Sequence, residues 1–303
     1  MPCLFDVGVA KTKLPLMRLR CLTLFMVVVA AACGRADDAR NTPGIGASGA
    51  TLDSTITVAM TGEWPADLGT APVIPSDTEN LAVVLYPAVF ITPLDPKTPF
   101  ALVTPGGDTV RVRVRVTGLD SAYCGDAPTV RLSRGTPLVW SIGITDGAAR
   151  PMRADSLDAV SSADSLLYST EASRLASAVS VGAPSRLAGL PFALTSLRRL
   201  RVGDTTIIAA QLVRRVNQEA NPAEERTFVI AEQAASAPFK AVYSMRSEGT
   251  EETTAHFDLI GALGTGPVTY LVLAMDSPSG STVEVLERSG GTWRVRWTRS
   301  IGC

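Results

Sequence analysis

Val110-Arg111-Val112-Arg113-Val114-Arg115-Val116 decides the fold class. Its strict alternation puts four valines on one face and three arginines on the other. That is the period-2 pattern of a strand with one buried and one wet side. Pro105-Gly106-Gly107-Asp108 stands just before it and offers a hairpin turn from a partner strand over 100–104. Further short strands are predicted over 129–132 and 138–142. Turn signals at this regular spacing favour an antiparallel sandwich or an open barrel over a parallel sheet. Residues 56–150 therefore read as an N-terminal β region.

Moving towards the C-terminus, the pattern changes at 151–200, which reads as a helical connector. Ser161 can cap a helix, Asp164 three residues later supports the first turn, and 166–179 supplies helix formers. Leu167, Leu175 and Ala178 are expected on its inner face, and Glu171 and Arg174 are spaced to pair on the surface. A loop follows around Gly182-Ala183-Pro184. Residues 201–303 are again β-rich and read as a C-terminal antiparallel meander of about six strands. Strands are expected at 205–216, 227–231, 241–246, 253–260, 268–275, 282–287 and 293–299, with Trp293, Val295 and Trp297 sharing one face of the last. The expected fold class is thus mainly β (α+β), with antiparallel sandwich or open-barrel sheets and one helical segment between two β regions.

Towards the N-terminus the chemistry is different. Lys11, Lys13, Arg18 and Arg20 precede an uncharged apolar run, Leu22 to Ala32. At about 11 residues that run is too short to cross the roughly 30 Å hydrocarbon core, but it suits a secretory signal. Val29-Ala30-Ala31-Ala32-Cys33 closes it. Small residues directly before a cysteine resemble the lipobox of bacterial lipoproteins, with Ala30 where that family usually has Leu. The resemblance implies cleavage after residue 32 and acylation of Cys33. Gly34, rather than Asp, in the next position implies the outer membrane, facing the periplasm or the cell surface. Met17 could serve as the initiator as readily as Met1, since Arg18 and Arg20 already supply a basic segment. Residues 33–55 are small, polar and glycine-rich and read as a flexible tether.

Composition bounds the function classes. The formal charge of −1 falls to −4 once residues 1–32, with four basic side chains and one acid, are removed. A mildly acidic chain carries no electrostatic footprint for nucleic acid. Of five cysteines, Cys3 and Cys21 leave with the signal and Cys33 is acylated. Cys124 and Cys303 remain, and an oxidising compartment invites a disulfide between them.

The catalytic candidates are few. His256 is the single histidine, so any Ser-His-Asp arrangement must use it as base. In an extended strand Thr254, His256 and Asp258 point the same way, which offers Asp258 as an orienting carboxylate. The flanking Phe257 and Leu259 read as the core side, and no G-x-S-x-G elbow accompanies them. One histidine and two distant cysteines do not make a zinc site. Glu248, Glu251 and Glu252 crowd one loop and read as solvated charge rather than a calcium site. Asp120, Asp126, Glu219, Glu224 and Glu225 are available for a glycosidase-type acid pair. Arg111–Arg115 and Arg294–Arg296 read as the wet faces of sheets.

Gly44-Ile45-Gly46-Ala47-Ser48-Gly49 matches G-x-G-x-x-G with neither the preceding strand nor the following helix that a dinucleotide site needs. Gly261 to Gly266 lacks the Lys-Ser/Thr of a phosphate loop. The stretch 256–299, with Phe257-Asp258-Leu259-Ile260-Gly261 and Gly290-Gly291-Thr292-Trp293, resembles one FG-GAP-type propeller repeat. Gly261-Ala262-Leu263-Gly264 occupies the place of that family's acidic calcium loop, so the resemblance implies a binding role without an ion. No cofactor or metal is expected. The expected function is a membrane-anchored envelope lipoprotein, more a non-enzymatic binding or scaffold module than an enzyme. Its partner would be an envelope protein or glycan. The alternative is an envelope or extracellular hydrolase using His256 or an acid pair.

Overall fold

A computed structural model describes residues 60–69, 73–75, 81–84, 99–104, 107–120, 127–133, 139–145, 149–180, 185–216 and 222–301. The signal, the tether, Cys33, Cys124, Cys303, Asp126 and Glu219 lie outside the described residues, as does the expected loop at 182–184.

The alternating arginine-valine stretch forms the first half of β5 (Thr109–Asp120). Val112 and Val114 are buried and Arg111 and Arg113 exposed, as the alternation requires. Past Val114 the ladder skips Arg115 in a bulge, Val114 pairing Leu132 and Val116 pairing Arg131. The partner strand is β4 (Pro99–Val103), joined through a turn in which Gly107 N–H bonds Thr104 O at 2.9 Å. With β2 (Val73–Pro75), β3 (Leu81–Val84), β6 (Ala127–Leu132) and β7 (Ile142–Thr145), these strands close a six-stranded barrel in the order β2-β3-β6-β5-β4-β7. Phe100, Leu102, Val112, Val114, Val130, Leu132 and Trp140 fill its interior. Gly143 makes closure possible, because a Cβ there would lie 2.6 Å from Val73 Cγ2 and 2.7 Å from Leu102 Cδ2. The strand expected at 138–142 is displaced to 142–145: Val139 is 65% exposed, while Ile142 and Ile144 are buried against the barrel's neighbour.

That neighbour is a six-stranded antiparallel sheet ordered β1-β17-β16-β15-β14-β8. It comprises β1 (Met60–Gly62), β8 (Arg150–Pro151), β14 (His256–Gly264), β15 (Thr269–Ser277), β16 (Gly280–Ser289) and β17 (Thr292–Ile301). A second sheet, β13-β12-β11-β10-β9, is built from β9 (Asp155–Ser156), β10 (Ala193–Val202), β11 (Thr205–Val216), β12 (Ala223–Ala234) and β13 (Lys240–Gly249). The C-terminal strands therefore split into two sheets instead of one meander, and β10 lies within the expected connector.

Four hydrophobic clusters show how the layers stack. The barrel packs on the six-stranded sheet through Val103, Ile142, Ile144, Leu263, Val272, Val285 and Trp297. The two sheets face each other through Leu200, Ile207, Phe228, Ile230, Phe257, Leu271, Leu273 and Leu286. The far side of the five-stranded sheet takes the helix α1 (Ser162–Ser180). Both sheets are thus covered on both faces, which is why Ile207–Leu212 is an unbroken buried run rather than an alternating one.

In α1, Ser161 Oγ accepts the Asp164 N–H at 3.2 Å as an N-cap. Glu171 and Arg174 pair at 2.7 Å. The inner face is Tyr168, Ala172, Leu175 and Ala176, with Leu167 46% exposed. The phase is shifted from the expected one because Tyr168 packs edge-on against Phe239, centroids 5.9 Å apart. Alanines at 172 and 176 then let the helix approach the sheet. The expected common face of Trp293, Val295 and Trp297 is also broken. A bulge at Arg296 sends Trp297 to the barrel side and leaves Trp293 against the inter-sheet core. No described helix is long and apolar enough to cross a membrane.

Candidate functional site

The inter-sheet space has two margins. At one, β12 and β13 are bonded to β16 and β17: Glu232 accepts from Arg288 Nε and Trp293 Nε1, both at 3.0 Å, and Tyr243 donates to Glu284. Burial, then the Glu284 carboxylate, pushes the Tyr243 phenol far above its ordinary range. This margin is closed by polar contacts.

At the other margin β10 stands over β14, and both strands are bulged. The β10–β11 register slips at Thr195 and the β14–β15 register at Ile260; bulges of this kind end regular pairing and re-aim side chains. Two recesses open here. One is lined by Val103, Met152, Leu259 and Ile260 among others, and encloses ≈ 440 Å³ open to solvent. The second is a shallow recess of ≈ 660 Å³, open solvent included, lined by Ser156, Leu157, Asp158 and the β10 run Leu194–Arg198. Arg198 and Asp258 line both and so divide them.

Arg198 is half-buried and shares strand parity with Leu200 and Val202, which pack between the sheets. It makes no ion pair with a described residue, although its charge reaches Asp258 through space. Asp258 keeps solvent contact, yet the cleft walls desolvate it and push its carboxyl upwards. Arg198, His256 and the Leu259 N–H pull the other way. Next door, Arg199 and Arg153 both hold Asp155, and the Arg199 hydrogen bond is the main reason its carboxyl lies below the ordinary range. That triad is closed by two ion pairs; the Arg198–Asp258 pair is not closed.

His256 is exposed and starts β14 beside this margin. Its Nδ1 lies 3.3 Å from Gln211 Nε2 and 3.2 Å from Arg226 Nη1. Gln211 Oε1 accepts the Phe257 N–H at 3.0 Å, which fixes the amide with its NH₂ towards the ring. Both neighbours are donors, so Nδ1 accepts and the ring proton sits on Nε2. A triad base instead donates from Nδ1 to its carboxylate. His256 and Asp258 do share the exposed side of β14, as expected, but Nδ1 is committed to Gln211 and Arg226. Thr254 is buried in the preceding turn, its hydroxyl bonding Thr250 O.

Of the acids that sequence offered for glycoside chemistry, Glu224 and Glu225 are bound to arginines. Glu225 is fully buried and bonded to Arg214 (2.8 Å), Arg246 (2.9 Å) and Ser185 (2.8 Å). Burial pushes its carboxyl up, but the Arg246, Arg214 and Ser185 hydrogen bonds outweigh that and bring it down to about 2. Glu224 pairs with Arg226 at 2.6 Å. Glu248 pairs with Arg246 and Arg186, while Glu251 and Glu252 are exposed. Among the described residues no three His, Cys, Asp or Glu side chains are grouped to hold a metal. Arg294 and Arg296 meet the buried Glu287 rather than forming a free basic face.

Sequence reasoning did not reach Arg198. Its signal was present in Leu197-Arg198-Arg199-Leu200, two cations inside an apolar strand, but the bulge at Thr195 breaks the period that would mark β10 as a strand. No protein-family model, curated protein or solved structure matches the chain.

Proposed function

We propose that the chain is a lipid-anchored envelope protein of the outer membrane, held through Cys33, whose β body binds a partner rather than turning one over. The observation that carries the binding half is the open margin, where Arg198 and Asp258 line two recesses without closing on each other. The commitment of His256 Nδ1 to two donors supports the same reading over a hydrolase. The anchor half rests on the basic segment, the short apolar run and Ala30-Ala31-Ala32-Cys33. A Cys124–Cys303 disulfide belongs to this proposal, since an oxidising compartment would pair the two remaining thiols.

Intact mass of the membrane-extracted protein, before and after reduction and alkylation, tests the anchor. A chain beginning at Cys33 with added acyl mass, and two alkyl groups gained only on reduction, is the expected result. An unacylated product overturns the anchor. Turnover of ester, glycoside or peptide substrates that disappears in His256→Gln overturns the binding reading.

A further inference from the structure

We infer that the Arg198–Asp258 margin binds a zwitterion: a free amino acid or a dipeptide, its carboxylate on Arg198, its ammonium towards Asp258 and an apolar side chain in the smaller recess. This deepens the binding reading above and rests on it.

Three other strand arginines are met by carboxylates of this chain: Arg199 by Asp155, Arg214 by Glu225 and Arg288 by Glu232. Arg198 and Asp258 carry opposite charge and line the same recesses, yet no ion pair joins them. A guanidinium fork is matched by a carboxylate that can take two parallel hydrogen bonds. A carboxylate a short way off is matched by an ammonium.

Charge decides against a simple anion. The larger recess adds Asp158 to Asp258, so its charged lining is one cation and two acids. Phosphate or a dicarboxylate would meet Arg198 and be repelled by the other two, whereas a zwitterion satisfies both signs. The walls of the smaller recess supply the third element. Val103, Met152, Ala154, Leu259 and Ile260 give it an apolar part beside Thr104 and Ser141, and no aromatic platform of the kind a sugar ring stacks on is present among the residues lining it.

The two bulges keep this opening from being filled by the chain itself. On β14 the Phe257 N–H is taken by the Gln211 side chain. At that position the strand edge has no free N–H to offer another strand, and recognition falls to the side chains.

The test is calorimetric titration of the detergent-solubilised full chain with the dipeptide leucyl-leucine. The same titration is run with its N-acetyl derivative, its C-terminal amide and inorganic phosphate. The expected result is saturable dipeptide binding, with each blocked derivative about tenfold weaker. Arg198→Gln should lose discrimination against the amide, and Asp258→Asn should lose discrimination against the N-acetyl form. The derivative series on the wild-type chain stands even if a variant folds poorly. No dipeptide saturation by about 10 mM, or equal binding of blocked forms or phosphate, overturns the inference. That failure leaves the envelope reading intact, because the latter falls only to an unacylated mass or to His256-dependent turnover.

Discussion

Glu225 and Arg198 stand on opposite faces of the same five-stranded sheet, and they are treated in opposite ways. Glu225 shares the helix-side face with Val229 and Ala231, is fully buried, and is held by two arginines and a serine. Phe192 completes its surroundings by stacking over Arg214 at 4.6 Å. Arg198 is half-buried at an opening and meets no carboxylate at bonding distance among the described residues. A charge enclosed by the fold has to be matched by the fold, because an unpaired buried ion costs several kcal/mol. A charge at an opening can remain unmatched at little cost, and its interaction is left for something from outside. The same side-chain types therefore act as a clamp in one place and as a receptor surface in the other.

The sharpest way to break this contrast is Glu225→Ala. It leaves Arg214 buried without its partner and should cost about 3–5 kcal/mol, read by urea unfolding. A loss under about 1 kcal/mol would mean the cluster is not the clamp described.

Acid should reproduce part of that loss. The Glu225 carboxyl is depressed from 4.5 to about 2 in the fold. Its contribution is therefore complete above the unfolded value and disappears as pH falls through the folded one. Up to about 3 kcal/mol should vanish between roughly pH 4.5 and 2, and Glu225→Gln should flatten that part of a stability–pH curve.

Next in size is Gln211→Ala. It strips the acceptor from the Phe257 N–H inside the inter-sheet core, at roughly 1–3 kcal/mol. Amide exchange at Phe257 should accelerate beyond that of its neighbours; uniform acceleration would mean a general loss of packing.

The smallest effects are expected at the margin. Arg198→Gln should leave stability within about 0.5 kcal/mol of wild type. Asp258→Asn should raise the unfolding midpoint slightly at neutral pH. Its carboxyl is raised in the fold, so its charged form opposes folding, and the gain should fade in acid as the native carboxyl protonates. A marked loss from either variant would place these two residues in the clamp class.

Much of the β architecture was legible. Thr205–Val216 was expected as a strand and is β11 to the residue, because a long apolar and β-branched run between turn signals has few other readings. The arginine-valine stretch and the helix N-cap were equally local, and local features survive into three dimensions. What failed was parity. A single bulge at Arg296 moved Trp297 to the other face from Trp293, and Tyr168 displaced Leu167 because Phe239, some 70 residues on, was the better partner. The candidate site failed for a related reason. Arg198 and Asp258 are 60 positions apart, on strands of different sheets, and nothing short-range says that those two strands share a margin. His256 was identifiable as the single histidine, but its commitment through Nδ1 depends on Gln211 and Arg226 from two other strands.

The pairing of β1 with β17 has a consequence for how such a chain is made. Met60 faces Arg299 and Gly62 faces Trp297, and Glu63 reaches Arg296 across 233 positions. Gly62 adopts a positive φ of 84°, with the Arg296 carbonyl so close that a Cβ would lie 2.3 Å away. The earliest described strand therefore has no seat until the latest one emerges. Contacts of such separation form late and slowly, so Trp64, packed edge-on against Trp297 at 4.9 Å, would report the final step of maturation by its fluorescence. A chain that locks only when β17 arrives keeps β1 unseated until the C-terminal sheet is built, so the order of emergence sets the order of closure.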